Sequence, residues 1–298
     1  MKIFMTGGTG FVGTTLTRTL LGAGHGVTIL TRPGEKPRAL AEGAAVVVGD
    51  PARRGPWQEE AARHDVVVNL AGASIFSRWT EARKKEIRES RILTTRHVVE
   101  ALGEGKRLLS TSAVGFYGPR GDEEVTEADP PGDDFLASLA AEWEREALRA
   151  ADRGAGVVLL RFGIVLGRNG GALSQLVPLF RLWAGSPLGS GRQWFSWIHE
   201  RDLAEIYLFL LGRPDISGPV NCTAPGGVTN EEFTFRLGKA LGVPTFLPAV
   251  PAFVLKAVLG EFAGALLTGQ RVVPKRLTEA GFSFLFPTLG EALADLVA

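Results

Sequence analysis

Three glycines at a fixed spacing carry the first chemical signal in this chain. "TGGTGFVG" sets Gly7, Gly10 and Gly13 in a G-x-x-G-x-x-G pattern between the apolar run "KIFM" and the helix-like stretch "FVGTTLTRTLLGAG". A glycine turn between a strand and a helix lets a pyrophosphate approach the backbone, and the last glycine lets the helix pack closely on the strand. The helix start then offers unbonded N–H groups and a positive dipole end to phosphate oxygens. A glycine triplet alone is a weak signal. At the head of a full set of strand–helix units it predicts a dinucleotide site. Phe11 and Val12 lie within the turn and belong to the same candidate set.

The residues after the second apolar run bear on which dinucleotide binds. An acidic residue roughly 20 positions beyond the glycines would meet a ribose 2′-hydroxyl. Here that place holds Arg32, in "ILTRPGEKPR", with Lys36 and Arg38 nearby. A carboxylate repels a 2′-phosphate, whereas a guanidinium binds it bidentately. The expectation is NADP(H) rather than NAD, with Thr31 adding a hydroxyl contact. Asp50, in "VVVGDP", is placed either to meet the adenine amino group or to cap the following helix. Pro51 and Leu70 complete the candidate cofactor contacts.

The elements that must position these residues are legible from periodicity. "KIFMTGG", "GVTILTR", "AAVVVGD", "DVVVNLAGA", "KRLLSTSAV" and "GVVLLRFGIVLG" are near-continuous runs rich in Val, Ile and Leu. Strands buried on both faces of a parallel sheet read this way. They alternate with helical stretches, so the predicted fold is α/β: a Rossmann-type doubly wound parallel sheet with a smaller C-terminal substrate-binding domain. The pattern loosens near residue 166, where Gly, Pro and clustered aromatics such as "GSGRQWFSWIHERD" become frequent. The division expected is 1–165 for the cofactor domain and 166–298 for the substrate-binding region.

Bulk properties narrow the function classes. The chain has 298 residues, 45% apolar and 22% charged, with a formal net charge of +1. No nucleic-acid or membrane surface is expected from that balance. Cys222 is the single cysteine, and His25, His64, His97 and His199 show no ligand spacing, so no metal site is expected. The most apolar stretch, 250–267, contains Lys256 and Glu261 and reads as a buried or amphipathic helix. "MKIFMTGG" reads as a strand entering a turn, which gives the expectation of a cytoplasmic protein.

With these residues in place, the chain resembles the extended short-chain dehydrogenase/reductase superfamily. "NLAGA" (69–73), "STSAVGFYG" (110–118), "LRFGIVLG" (160–167), "WIHERDLA" (197–204) and "VNCTAPGGVTNEEF" (220–233) follow in that superfamily's order. More narrowly, "RWTEARKKEIRESRI" (78–92) and the tail 267–296 resemble its "epimerase family protein" branch, whose C-terminal domain would span about 245–296. The resemblance implies that Ala71 and Gly72 lie against the cofactor and that Ser112 faces the nicotinamide. It also implies NADP(H) as cofactor and a small-molecule substrate held by the second half. A homodimer through the long helices flanking the sheet is a further possibility it raises.

The same resemblance exposes a departure. Typical members keep a Tyr and a Lys at i and i+4 on one helix, where the Lys lowers the tyrosine pKa for proton exchange. Here the helix reads "FLASLAAEWEREALRAA" (135–151). If Glu144 takes the place of that helix's usual acid, Leu136 and Ala140 stand where the pair would be. The chain's tyrosines, Tyr117 and Tyr207, are followed four residues on by Gly121 and Leu211. Ser112 and Tyr117 remain the catalytic candidates, although each has a structural alternative. Glu142 and Glu144 read as solvated helix charges, and His199 with Asp202 as a buried structural pair. Arg78, Trp194 and Trp197 are possible ligand contacts, with core packing the default for both tryptophans. Two functions fit: an NADP(H)-dependent oxidoreductase or epimerase-like enzyme acting on a small carbonyl or hydroxyl compound, including a sugar nucleotide, or a non-catalytic NADP(H)-binding redox sensor.

Overall fold

The computed structural model describes residues 1–34 and 40–297. Lys36 and Arg38 lie outside them. Seven strands form one sheet: β1 (Lys2–Thr6), β2 (Gly26–Thr31), β3 (Ala45–Val48), β4 (Val66–Asn69), β5 (Arg107–Ala113), β6 (Gly156–Phe162) and β7 (Gly218–Cys222). Their order is β3-β2-β1-β4-β5-β6-β7, with every neighbouring pair parallel. The order reverses direction at β1 and β4, which is where ligands bind in doubly wound sheets.

Strand alternation builds two cores. Ile3, Met5, Val68, Leu109 and Val158 point to one face, and Phe4, Val67, Leu108, Val157 and Leu159 to the other. Helix α1 (Phe11–Gly22) covers the first face with Leu16 and Leu20. The second is covered by α2 (Trp57–Ala62), α3 (Glu81–Ala101) and α4 (Phe135–Leu148).

The later half adds α5 (Gly171–Arg181), α6 (Glu200–Leu211) and α7 (Asn230–Leu241). Helix α6 packs beside α1 on the first face, and β7 extends the sheet at its edge. The sheet therefore continues past the division expected at 165, because a strand from the later half pairs with β6. A third core of Leu166, Phe180, Trp197, Phe233 and Leu293 holds α5 and α7 against the last helix (Leu289–Val297).

The apolar stretch 250–267 corrects its sequence reading. It is two helices, α8 (Ala252–Leu259) and α9 (Phe262–Leu267), separated at Gly260, whose φ of +62° favours glycine. Helix α9 buries Phe262 and Ala263, whereas α8 buries none of its residues. No described helix is long and apolar enough to cross a membrane.

Candidate functional site

A cavity of about 600 Å³ lies at the carboxyl ends of the strands, with walls from both halves of the chain. Its first end is the glycine turn. Gly7 has φ +70°, and a Cβ there would sit 2.9 Å from the Ala71 backbone nitrogen. A Cβ on Gly13 would lie 2.3 Å from the Gly7 carbonyl oxygen, so no side chain fits between α1 and β1. On Gly10 a Cβ would meet only the Gly7 oxygen, at 3.2 Å. Helix α1 starts at this turn without a side-chain cap and without an acidic residue in its first turn. Uncapped amides beside an open, glycine-lined wall fit a pyrophosphate. Phe11, Val12, Leu70 and Gly72 line the same end. Ala71 donates its N–H to Thr6 Oγ1 at 3.3 Å, fixing the loop after β4.

A short relay of hydrogen bonds braces this end. Thr6 Oγ1 donates to Asn69 Oδ1 at 2.7 Å, Asn69 donates to Thr95 at 2.8 Å, and Trp143 Nε1 donates to Thr95 at 2.7 Å. The buried ends of β1 and β4 are thereby tied to α3 and α4.

The candidates beyond β2 and β3 divide. Arg32 is exposed, just past the end of β2. Thr31 is buried, its hydroxyl 3.4 Å from the Val47 carbonyl, so it serves the sheet. Asp50 accepts from the Ala52 N–H at 3.0 Å and caps the turn that contains Pro51, whereas α2 begins after Pro56.

In the middle of the cavity wall stands Ser112, at the end of β5. Its hydroxyl donates to Glu144 Oε1 at 2.6 Å. Glu144 is 6% exposed and is held by a bidentate Arg161, with Nε and Nη2 both at 2.8 Å. This corrects the reading of Glu144 as a solvated charge: α4 turns it inward with Ala140, Trp143 and Ala147. Glu142 does face outward, in a pair with Arg88. Burial works against the Arg161 charge, but Glu144 and Tyr117 outweigh it and hold its pKa above the ordinary value. The Phe116 ring lies 3.6 Å from its guanidinium carbon.

Tyr117 is also corrected. It is fully buried, outside the cavity wall, with its hydroxyl donating to Asn221 Oδ1 at 2.6 Å and accepting from Arg161 at 2.8 Å. Burial pushes its pKa up to about 12. A hydroxyl committed on both sides and out of the wall cannot meet a ligand.

Leu136 and Ala140 line the cavity, so apolar groups occupy the wall where an acid–base pair would stand. Trp194 also lines it, its Nε1 donating to Asp122 at 2.8 Å, while Trp197 is core. Arg78 lies against Gly260. His199 and Asp202 are buried but do not form a pair. His199 caps α6 by accepting from the Arg201 N–H, and Asp202 accepts from the N–H groups of Leu285 and Phe286.

Sequence reasoning missed two charged groups, Arg161 and Arg91, and misplaced a third, Glu144. Arg161 sits inside the apolar run of β6, and a charge in a buried strand demands a partner. Glu144 falls on the apolar phase of α4. Arg91, on α3, lines the cavity, donates to the carbonyls of Ala73 and Ile87 at 3.0 Å, and has no carboxylate partner among the described residues. Its guanidinium carbon is 5.3 Å from the Trp143 ring centroid, and burial lowers its pKa to about 10.

The parallel sheet, the glycine turn and a cleft at the switch of strand order define the class: a Rossmann-type dinucleotide-binding fold. The chain belongs to the NAD dependent epimerase/dehydratase family, whose model matches residues 3–222, and residues 250–296 match the domain of unknown function DUF1731. It is similar to the epimerase family protein SDR39U1 homolog, chloroplastic, of Arabidopsis thaliana, with 40% identity over 306 residues covering 100% of this chain and 87% of that relative. The crystal structure of human epimerase family protein SDR39U1 (isoform 2) with NADPH superposes with a TM-score of 0.87 at 37% identity, covering 100% of this chain and 99% of that one. A nucleoside-diphosphate sugar epimerase from Corynebacterium glutamicum gives 0.79 at 32% identity, covering 100% of this chain and 58% of that one.

Proposed function

We propose that this chain binds NADP(H) and acts on a small carbonyl or hydroxyl compound, as an oxidoreductase or epimerase-like enzyme that works without the Tyr–Lys pair. The observation that carries this reading is one cavity running from the glycine turn to Ser112 and on beneath the second half. The α1 amides would hold the pyrophosphate, and Arg32 the 2′-phosphate. The human relative crystallised with NADPH supports the choice of dinucleotide. When bound, the nicotinamide supplies or accepts the hydride.

Ser112 gives its hydrogen to Glu144, so its oxygen meets a ligand as an acceptor. It therefore suits the hydroxyl form of a substrate, which donates to it. In that pose a substrate proton can pass to Ser112 as the Ser112 proton passes to Glu144. Arg161 holds the carboxylate in place for that exchange.

A redox sensor without catalysis is the second reading, favoured by Leu136 and Ala140 in the wall. Calorimetric titration with NADPH, NADP⁺, NADH and NAD⁺ tests the shared premise. NADP(H) should bind, and Arg32→Ala should weaken it roughly tenfold or more, the loss of a charged bidentate contact. Failure of every dinucleotide to bind overturns both readings. On NADP⁺-loaded protein, Ser112→Ala should abolish oxidation of the alcohol while NADP⁺ still binds; a sensor shows no turnover in either form.

We place the protein in the cytoplasm, a reading supported by its near-neutral charge and single, buried cysteine. A dimer through α3 and α4 would set the Arg88–Glu142 and Arg96–Glu146 pairs at its interface, and sedimentation at low and high salt tests it.

A further inference from the structure

We infer that the substrate half of the cavity takes an apolar carbonyl or hydroxyl compound, such as an aryl ketone and its alcohol, and is not built for a sugar nucleotide. This deepens the proposed function and rests on it.

The wall beyond Ser112 is made by Ile75, Phe76, Leu136, Leu139, Phe262 and Leu266. Phe262 meets Phe76 edge-on at 5.9 Å and Trp79 at 5.5 Å, so the aromatic surface is continuous. Most of the polar side chains among them already spend a donor within the protein. Trp194 Nε1 donates to Asp122, Gln270 Nε2 to the Val114 carbonyl, Thr268 to the Gly264 carbonyl and Ser196 to the Gln270 carbonyl. Ser112 donates to Glu144. A sugar ring bound here would surrender its water to side chains with few donors left to offer. Each unmet hydroxyl costs roughly tenfold or more in affinity.

Charge points the same way. A nucleoside diphosphate needs cations or uncapped helix amides. Among the described residues, the later half of the chain contributes no Lys or Arg to the wall. The cation that does line the cavity, Arg91, lies beside Gly72 and Ala73 in the cofactor half. The substrate end instead carries the Asp134 carboxylate, which caps α4 at the Ala137 N–H. A diphosphate there would meet a negative charge. An apolar alcohol needs only one polar contact, its hydroxyl donating to the Ser112 oxygen, with its body against the aliphatic and aromatic wall, and the ketone is held by that wall.

The experiment is calorimetric titration with 2-acetonaphthone, its alcohol and UDP-glucose. NADPH binding is measured first, and each ligand is then titrated into both the free and the NADPH-saturated protein. The ketone or its alcohol should bind at least tenfold more tightly than UDP-glucose. Equal or tighter binding of UDP-glucose, or no binding of either apolar probe, overturns the inference while a measured NADPH affinity leaves the cofactor reading standing. Loss of NADPH binding overturns the cofactor reading separately, and the ligand ranking on the free protein still decides the substrate class. Phe76→Asp places a charge on a half-exposed wall residue that the fold does not need. It should weaken the ketone roughly tenfold, and an unchanged ketone affinity also overturns the inference.

Discussion

Replacing Glu144 by Ala should be among the most damaging single changes in this chain. The Glu144 and Arg161 side chains are only 7% and 4% exposed, and they meet through two 2.8 Å hydrogen bonds. Their mutual attraction largely offsets the cost of taking both from water. Removing one partner leaves the other buried and uncompensated, at about 3–5 kcal/mol. Tyr117 and the Phe116 ring still touch Arg161, but neither supplies a negative charge. For a chain of this size, at about 2.1 cal/mol/K per residue, the loss corresponds to a fall of about 5–8 °C in Tm. Urea denaturation measures it as a lowered midpoint at constant slope. Glu144→Leu with Arg161→Met should recover most of the loss, because an apolar pair of similar volume replaces a buried ion pair at little cost. A Glu144→Ala loss below about 1 kcal/mol, or a double variant whose loss is the sum of the two singles, would refute the reasoning and place water around the pair.

Other outcomes follow from single distances and partners. Gly13→Ala should abolish dinucleotide binding, since its Cβ would sit 2.3 Å from the Gly7 carbonyl oxygen and 2.6 Å from Gly8 Cα, both backbone atoms. Gly264→Ala, in α9 with nothing within 4 Å of the added Cβ, should instead stabilise by up to about 1 kcal/mol in the same thermal assay. His199 is buried, which lowers its pKa from 6.5 to about 4 despite Asp295 nearby. Its Nε2 is 3.3 Å from Asp295 Oδ2, yet the geometry is not that of a hydrogen bond. Below pH 6.5 the unfolded chain binds this proton and the folded chain does not. Stability is thus full above 6.5 and falls by about 3 kcal/mol as pH drops towards 4. His199→Asn, which keeps a capping side chain at α6, should flatten that slope in urea midpoints taken across the range. An unchanged slope would mean that another group carries it.

The parts of the fold that were legible are those where one physical demand dominates a short stretch. Strands buried on both faces must be apolar throughout, so β1, β2, β4, β5 and β6 announce themselves, as does a glycine turn that no Cβ could enter; β3 is apolar too, although at the sheet edge it leaves Val46 and Val48 exposed. The edge strand β7 does not, because "GPVNC" opens with glycine and proline and carries the polar Asn221, which the edge position tolerates. Gly260 cuts the apolar run 250–267 in two, and hydropathy alone gives no sign of a break made by backbone conformation. At the site, Ser112 was legible because the family resemblance singles it out near the end of a predictable strand. Its partners were not, since they lie 32 and 49 positions further along. Local pattern assigns "EWERE" to solvent, and only the helical phase shared by Ala140, Trp143, Glu144 and Ala147 contradicts that. The decisive clue was the arginine in "VVLLRF". A charge that a strand cannot expose must find its counterion on a neighbouring element, and α4 crosses that strand with one carboxylate on its inner face. Leu136, Ala140 and Glu144 occupy that face at four-residue intervals. The helix therefore presents an apolar wall at two turns and an anchored carboxylate at the third. On the proposed reading, a substrate proton would leave through the serine that the carboxylate holds.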